Sequence, residues 1–292
     1  MIKIDDTTRE CVLSCEIFPP KKEDSFPKIF ETVDRIAALK PAFISVTYGA
    51  GGSNSVHQLE IVDYIQNNTD TEALAHITSV GYDKRRLDEG LRRFEEKGVH
   101  NVLALRGDRP KDMSDEQYNS REFEHAEDMI RYMRETGRTD DKLMIAGACY
   151  PEKHPEAPDK PTDIFFLKKK QDAGCNMLIS QLFFENTLFY RFLEYTEKND
   201  ITIPIHAGIM PITDSKQLGR TITLSGTSVP KKLADICANY GDSPEDMKKA
   251  GIEYAVNQAV DLASNGVQGI HVYAMNKPEL CEAVFNAVRE CM

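Results

Sequence analysis

Val102-Leu103-Ala104-Leu105-Arg106-Gly107-Asp108 sets four apolar residues directly against an arginine, a glycine and an aspartate. A strand covered on both faces reads as an unbroken apolar run, so polar groups that arrive only at its downstream end are delivered to one rim of a parallel sheet. The pattern recurs along the chain. Leu13 to Phe18 carries Glu16, Phe43 to Val46 ends in Thr47-Tyr48-Gly49, and Ala73 to Val80 carries His76. Leu143 to Cys149 ends in Tyr150-Pro151-Glu152, Met177 to Ser180 in Gln181, and Ile203 to Met210 in Pro211, and an eighth run spans Gly269 to Met275.

Between the runs, apolar residues three or four apart predict helices. One face joins Ile29, Phe30, Val33, Ile36 and Ala37; others join Leu87, Leu91 and Phe94, then Phe123, Ala126, Met129, Ile130 and Met133, and finally Leu280, Val284 and Val288. Ser243, Pro244 and Asp246 read as an N-cap with proline at the first helical position, which predicts a further helix through Val256, inserted before the eighth strand. Eight strands each followed by a helix within 292 residues predict a (β/α)8 TIM barrel, an α/β fold of about 250 residues whose active sites sit at the carboxyl ends of the strands. One domain over 1–292 is the economical reading. A doubly wound open sheet is the alternative. It asks for a glycine fingerprint at the first turn, where Phe18-Pro19-Pro20-Lys21 stands. The nearest approach, Gly49-Ala50-Gly51-Gly52-Ser53-Asn54, follows the second strand and has Asn54 at the third glycine.

A net charge of -11 without a basic block argues against nucleic acid, whose binding is dominated by phosphate neutralisation. No apolar stretch approaches the roughly 20 residues that span a bilayer. Met1 to Glu10 is polar and lacks the apolar core of a signal peptide, which predicts a cytoplasmic protein. The seven cysteines include no Cys-x-x-Cys pair, and Cys11 and Cys15 have no neighbouring Cys or His pair to complete a zinc site. Buried thiols and no metal are expected.

Tyr150 to Pro161 is the richest loop, with four prolines in twelve residues stiffening it toward extended backbone. It reads either as a rigid surface loop or as a ligand-holding one. The second reading gains from His154, followed by Asp163 and Lys170, an acceptor and a cation suited to a ribose and a phosphate.

Six motifs in order now resemble a known family. Cys15-Glu16-Ile17-Phe18-Pro19-Pro20-Lys21, Val46-Thr47-Tyr48-Gly49-Ala50, Ala104-Leu105-Arg106-Gly107-Asp108, Tyr150-Pro151-Glu152-Lys153-His154-Pro155-Glu156-Ala157, Asp172-Ala173-Gly174-Cys175-Asn176 and Gln181-Leu182-Phe183-Phe184 are similar to methylenetetrahydrofolate reductases. The likeness extends through Pro204 to Pro211 and His271-Val272-Tyr273. It implies an oxidoreductase with bound FAD that takes electrons from NADH or NADPH and reduces 5,10-methylenetetrahydrofolate to 5-methyltetrahydrofolate, in a ping-pong sequence through one site over the flavin. It further implies FAD contacts from Thr47, His76, Leu105, Arg106, Gly107, Asp108, Ala126, Tyr150, His154, Asp163 and Lys170. Folate contacts are implied for Glu16, Asp108, Gln181, Gln217 and Lys277. The partners would be small molecules, and whether the chain forms a homo-oligomer is left open.

The chemistry asks for such residues. Opening the imidazolidine ring needs a proton on the departing N10, which makes Glu16 the candidate general acid. Its reference pKa of about 4.3 must then be raised by apolar surroundings; an ion-paired strand glutamate is the alternative. Asp108 beside the flavin would oppose the anionic reduced ring, whereas a bare Gly-Asp after a strand also serves as a turn or helix cap. Arg106 and Lys170 supply cations for a diphosphate, or else form surface ion pairs. Two positions depart from the family pattern: Thr221 stands where bacterial members carry a stacking phenylalanine, and Lys277 follows Asn276 where an arginine is usual. A folate-binding barrel methyltransferase, which would have no use for the Tyr150 to Lys170 cofactor segment, and a non-catalytic binding barrel, against which Glu16, Asp108 and Gln181 all stand, are the competing readings.

Overall fold

Eight parallel strands close on themselves in chain order: β1 (Val12–Ile17), β2 (Phe43–Val46), β3 (Glu72–Thr78), β4 (Asn101–Leu105), β5 (Met144–Cys149), β6 (Met177–Ser180), β7 (Ile205–Ile209) and β8 (Gly269–Tyr273). The computed structural model describes residues 1–2, 11–20, 26–48, 55–110 and 113–292. β1 pairs with β2 on one side and β8 on the other, Glu16 lying opposite Ser45 and Tyr273. That closure excludes the open doubly wound sheet. The glycine-rich Gly49 to Asn54 lies outside the described residues.

Around the barrel run α1 (Phe26–Ala37), α2 (Ser55–Asn68), α3 (Lys84–Glu95), α4 (Asp115–Asn119), α5 (Ala126–Glu135), α6 (Lys160–Asp172), α7 (Asn186–Glu197), α8 (Ser215–Ser225), α9 (Lys231–Tyr240), α10 (Pro244–Ser264) and α11 (Pro278–Cys291). The strands are apolar on both faces because both are covered. Cys15, Ile17, Ile44, Val46, Ile145 and Ile209 belong to the larger core shared with the helices. Phe43, Leu74, Leu103, Met144, Ala146, Met177 and Ile179 pack together inside the barrel with Ile2, whose N–H donates to the buried Asn101 side chain at 2.8 Å.

The lumen also holds polar groups. Ser14, Ser45, His76, Ser180, His206 and His271 are all buried. Ser14 Oγ and Ser45 Oγ bracket the His271 ring at 2.8 Å from Nδ1 and 3.3 Å from Nε2. Burial pushes the imidazoles down, His206 to about 4, His76 to about 3 and His271 well below its ordinary value. Charged rings would have no water to solvate them there.

The helix begun at Ser243 starts as expected, with Ser243 Oγ accepting from the Asp246 N–H. It continues past Val256 to Ser264. The apolar spacing is interrupted by Gln258, which is nonetheless buried and donates to the Phe183 carbonyl at 2.9 Å. Phe123 is buried but precedes α5, which begins at Ala126 after the His125 N–H finds Asp128 Oδ2 at 2.8 Å. The expectation of buried thiols holds for five cysteines and fails for Cys237, half-buried, and Cys291, exposed in the last turn of α11. Among the described residues no cluster of ligating side chains could hold a metal, and no helix is long and apolar enough to cross a membrane.

Candidate active site

Glu16 points into the barrel from β1, with about a fifth of its side chain open. Burial alone pushes its carboxyl up to about 8. Among the described residues no lysine or arginine pairs with it; the group that faces it is His76 from β3, Nε2 standing 3.5 Å from Oε2. Beside Glu16, Tyr273 crosses to β6 and donates its hydroxyl to the Ser180 carbonyl at 2.7 Å. That crossing requires a glycine on the intervening strand. A Cβ at Gly208 would lie 2.2 Å from the Ser180 oxygen and 2.8 Å from the Tyr273 ring.

A second group of side chains gathers where β4, β5 and α6 meet. Arg106 turns its guanidinium fork onto both carboxylate oxygens of Glu156, while its Nε is buried without a hydrogen-bond partner among the described residues. This contact holds the Glu156 carboxyl below and the Arg106 guanidinium above its usual range. Glu156 is itself 64% exposed. Its N–H donates to His154 Nδ1 at 3.1 Å, and the His154 N–H donates to Asp163 Oδ2 at 3.0 Å, so the proline-rich loop is tied to the first turn of α6. Lys170, in the last turn of α6, reaches the Ala148 carbonyl at 2.6 Å, and burial lowers its pKa. Gly107 has φ +80°, and a Cβ there would meet Thr78 Cβ at 2.8 Å, so the backbone after β4 lies flat against β3 only with glycine.

Tyr150, at the end of β5, packs its ring on His154 with centroids 4.6 Å apart, and burial above all raises its phenol pKa. Leu105 and Thr47 sit at the ends of β4 and β2, the Thr47 N–H bonding the Ile17 carbonyl at 3.1 Å. Asp108 is exposed. Ala126 is buried at the start of α5. Gln181 turns its side-chain oxygen onto its own neighbour, the Leu182 N–H, at 2.9 Å. Across the mouth, Lys277 donates to Thr213 Oγ1 at 3.0 Å and Gln217 Oε1 accepts from the Thr213 N–H at 3.2 Å, so the structure joins these two through a threonine. Thr221 is buried in α8, where it donates no stacking surface.

Reading by residue type overlooked Glu156, Tyr273, Gly208 and Thr213 as members of the site. Glu156 and Tyr273 stand inside the quoted Tyr150 to Ala157 and His271-Val272-Tyr273 stretches. Gly208 and Thr213 become informative only once their partners on other elements are known.

Polar side chains at the carboxyl ends of eight parallel strands, with a buried carboxyl on one side and cations on the other, define a (β/α)8-barrel protein whose candidate ligand site is its C-terminal rim. The particular family follows from comparison with known proteins: methylenetetrahydrofolate reductase matches residues 2–289, and the chain belongs to that family. A 5,10-methylenetetrahydrofolate reductase of Pectobacterium carotovorum subsp. carotovorum is 33% identical over 272 residues, covering 93% of this chain and 88% of that one. The methylenetetrahydrofolate reductase (NADH) 1 of Arabidopsis thaliana is 32% identical over 285 residues, 94% of this chain but 48% of the plant protein. Among solved structures, a Clostridium thermocellum protein that binds two copies of 5-methyl-5,6,7,8-tetrahydrofolic acid shares the fold with a TM-score of 0.65 at 16% identity, covering 96% of this chain and 94% of that one.

Proposed function

We propose that this chain reduces 5,10-methylenetetrahydrofolate to 5-methyltetrahydrofolate with bound FAD, using NADH or NADPH as donor, the two substrates taking turns over the flavin. The observation that carries the reading is Glu16, a carboxyl lifted to about 8 by burial inside a rim that also gathers cations. It is protonated at neutral pH and can give its proton to N10 as the imidazolidine opens. When bound, the flavin supplies the two-electron exchange between the nicotinamide and the one-carbon unit.

The residues of the β4–β5–α6 corner fit such a dinucleotide. Among the described residues the buried Arg106 Nε has no partner and its fork is held by a largely exposed carboxylate, and Lys170 stands at the same corner, so the two cations face the diphosphate. Asp163 and His154 take the ribose side, and Thr47, His76, Leu105, Gly107, Ala126 and Tyr150 line the rest. Asp108 and Gln181 meet the pterin. Lys277 and Gln217 face the anionic tail of folate from the opposite rim. The chain works as a cytoplasmic protein on small molecules.

The test is direct. The purified chain should be yellow, release FAD on heating, and oxidise NADH or NADPH only when methylenetetrahydrofolate is supplied. A colourless protein that gives no flavin quenching on titration would move the reading to a folate-binding methyltransferase or a non-catalytic barrel.

A further inference from the structure

We propose that His76 is the positioning residue of Glu16: its neutral imidazole donates Nε2–H to one carboxyl oxygen, leaving the other to carry the acid proton into the cup. The inference rests on the reading of Glu16 as the acid and names the group that aims it.

His76 Nε2 is buried, has no hydrogen-bond partner among the described residues, and stands 3.5 Å from Glu16 Oε2. Buried polar nitrogens rarely stay unpaired, and contacts in ligand-free sites are often long and tighten when substrate arrives. The backbone that carries the ring is firmly placed. Gln58, 1% exposed, donates through one Nε2 to both the Val46 carbonyl at 2.9 Å and the His76 carbonyl at 2.8 Å, pinning β2 to β3 at this level.

The choice of histidine has a physical reason. An arginine or lysine at this position would pull a carboxyl pKa down by about 1 to 3 units and leave Glu16 without its proton. A ring held neutral by burial, with its pKa near 3, orients the carboxyl without stripping it. The other titratable groups around Glu16 do not take this role. Tyr273 from β8 spends its hydroxyl on Ser180, Cys15 and Cys149 lie with Cys281 in the core shared with the helices, and Tyr150 at the end of β5 packs its ring on His154. His271 of β8 is engaged by Ser14 and Ser45, and His206 of β7 stacks near Phe43. None of these is a cation at neutral pH.

A donor hydrogen bond favours the carboxylate over the carboxyl, so losing it should raise the Glu16 pKa further and make it a weaker acid. The experiment titrates the carboxyl band of Glu16 in the purified chain by infrared difference spectroscopy, the band being the one that Glu16→Gln removes. His76→Leu should raise its midpoint by about one pH unit, about tenfold in proton affinity. His76→Gln, which restores an N–H donor, should bring it back. Coincident midpoints in wild type and His76→Leu would overturn the proposal. A second measurement needs no substitution at His76: in the ¹⁵N-histidine-labelled wild-type chain, the Nε2 signal should be that of a protonated nitrogen and should shift with the Glu16 midpoint, and that shift should vanish in Glu16→Gln. An unprotonated Nε2 would equally overturn it. If instead both spectroscopic couplings hold but Glu16→Gln reduces methylenetetrahydrofolate at the wild-type rate, the functional reading of Glu16 fails while the contact stands.

Discussion

Replacing Gly208 by alanine tests how tightly the floor of the site is built. The new Cβ would lie 2.2 Å from the Ser180 carbonyl oxygen, 2.8 Å from Tyr273 Cε2 and 3.1 Å from its hydroxyl. The first contact is backbone of the neighbouring strand, anchored because the Gly208 N–H donates to Ser180 Oγ at 2.9 Å, so it cannot swing aside as a side chain would. The Tyr273 ring can. Its departure breaks the 2.7 Å bond to the Ser180 carbonyl. Overpacking costs about 1–3 kcal/mol, and a buried donor left unpaired about 1–3 kcal/mol more, so the expected loss is roughly 2–6 kcal/mol by urea unfolding. Tyr273→Phe should cost only about 1 kcal/mol. Because the lost phenol bond is common to both, the double variant should fall short of the sum of the singles by about 0.5–3 kcal/mol. Strict additivity, or a Gly208→Ala protein within about 0.5 kcal/mol of wild type, would refute the packing described.

Three further outcomes are expected. Thermal midpoint against pH should peak near the histidine reference value of about 6.5: histidines with depressed folded pKa values contribute fully above it and lose that stability as pH falls toward about 4 for His206 and about 3 for His76. Glu16, with its raised folded value, contributes fully below about 4.5 and loses as pH rises through about 8; three rings against one carboxyl make the acid limb the steeper, and a flat profile from pH 7 to 5 would contradict this. Asp108→Asn should raise the flavin potential; the repulsion removed is at most about 4 kcal/mol for charges roughly 4 Å apart at an effective dielectric near 20, and with Asp108 exposed a shift of about 30 mV, equivalent to about 1.4 kcal/mol, is the reasonable size, read by dye-coupled reduction. Lys170→Met should weaken FAD binding about tenfold to a hundredfold, as for loss of a charged hydrogen bond, with the stem retained against Gly147 and the unfolding midpoint little changed; unchanged flavin affinity would remove Lys170 from the cofactor.

The strands were legible because burial on both faces writes a continuous apolar run: the Phe43–Val46 and Met177–Ser180 bounds agree residue for residue. The region before β8 was less so. α9 buries only Leu233 in its span, too little for a periodic signal, and the buried Gln258 hides the second half of α10. Of the site, Glu16 and Arg106 stood out because a charged residue in or just after an apolar run is conspicuous. The Glu16–His76 and Arg106–Glu156 contacts did not, since they join residues 60 and 50 positions apart that only barrel closure and the fold of the proline-rich loop bring together. His206 and His271 lie inside apolar runs, and only the closed lumen brings them against Phe43 and two serines.

The two half-reactions of Glu16→Gln offer the most direct measurement. On the proposed function, reduction of the flavin by NADH or NADPH needs no proton from Glu16, whereas ring opening of methylenetetrahydrofolate does. In stopped-flow mixing, the variant should bleach with the nicotinamide at a near-normal rate, and the prereduced variant should be reoxidised by methylenetetrahydrofolate more slowly by about 10² to 10⁴, as for lost general acid catalysis. Equal slowing of both halves, or of neither, would contradict the assignment of Glu16 as the acid.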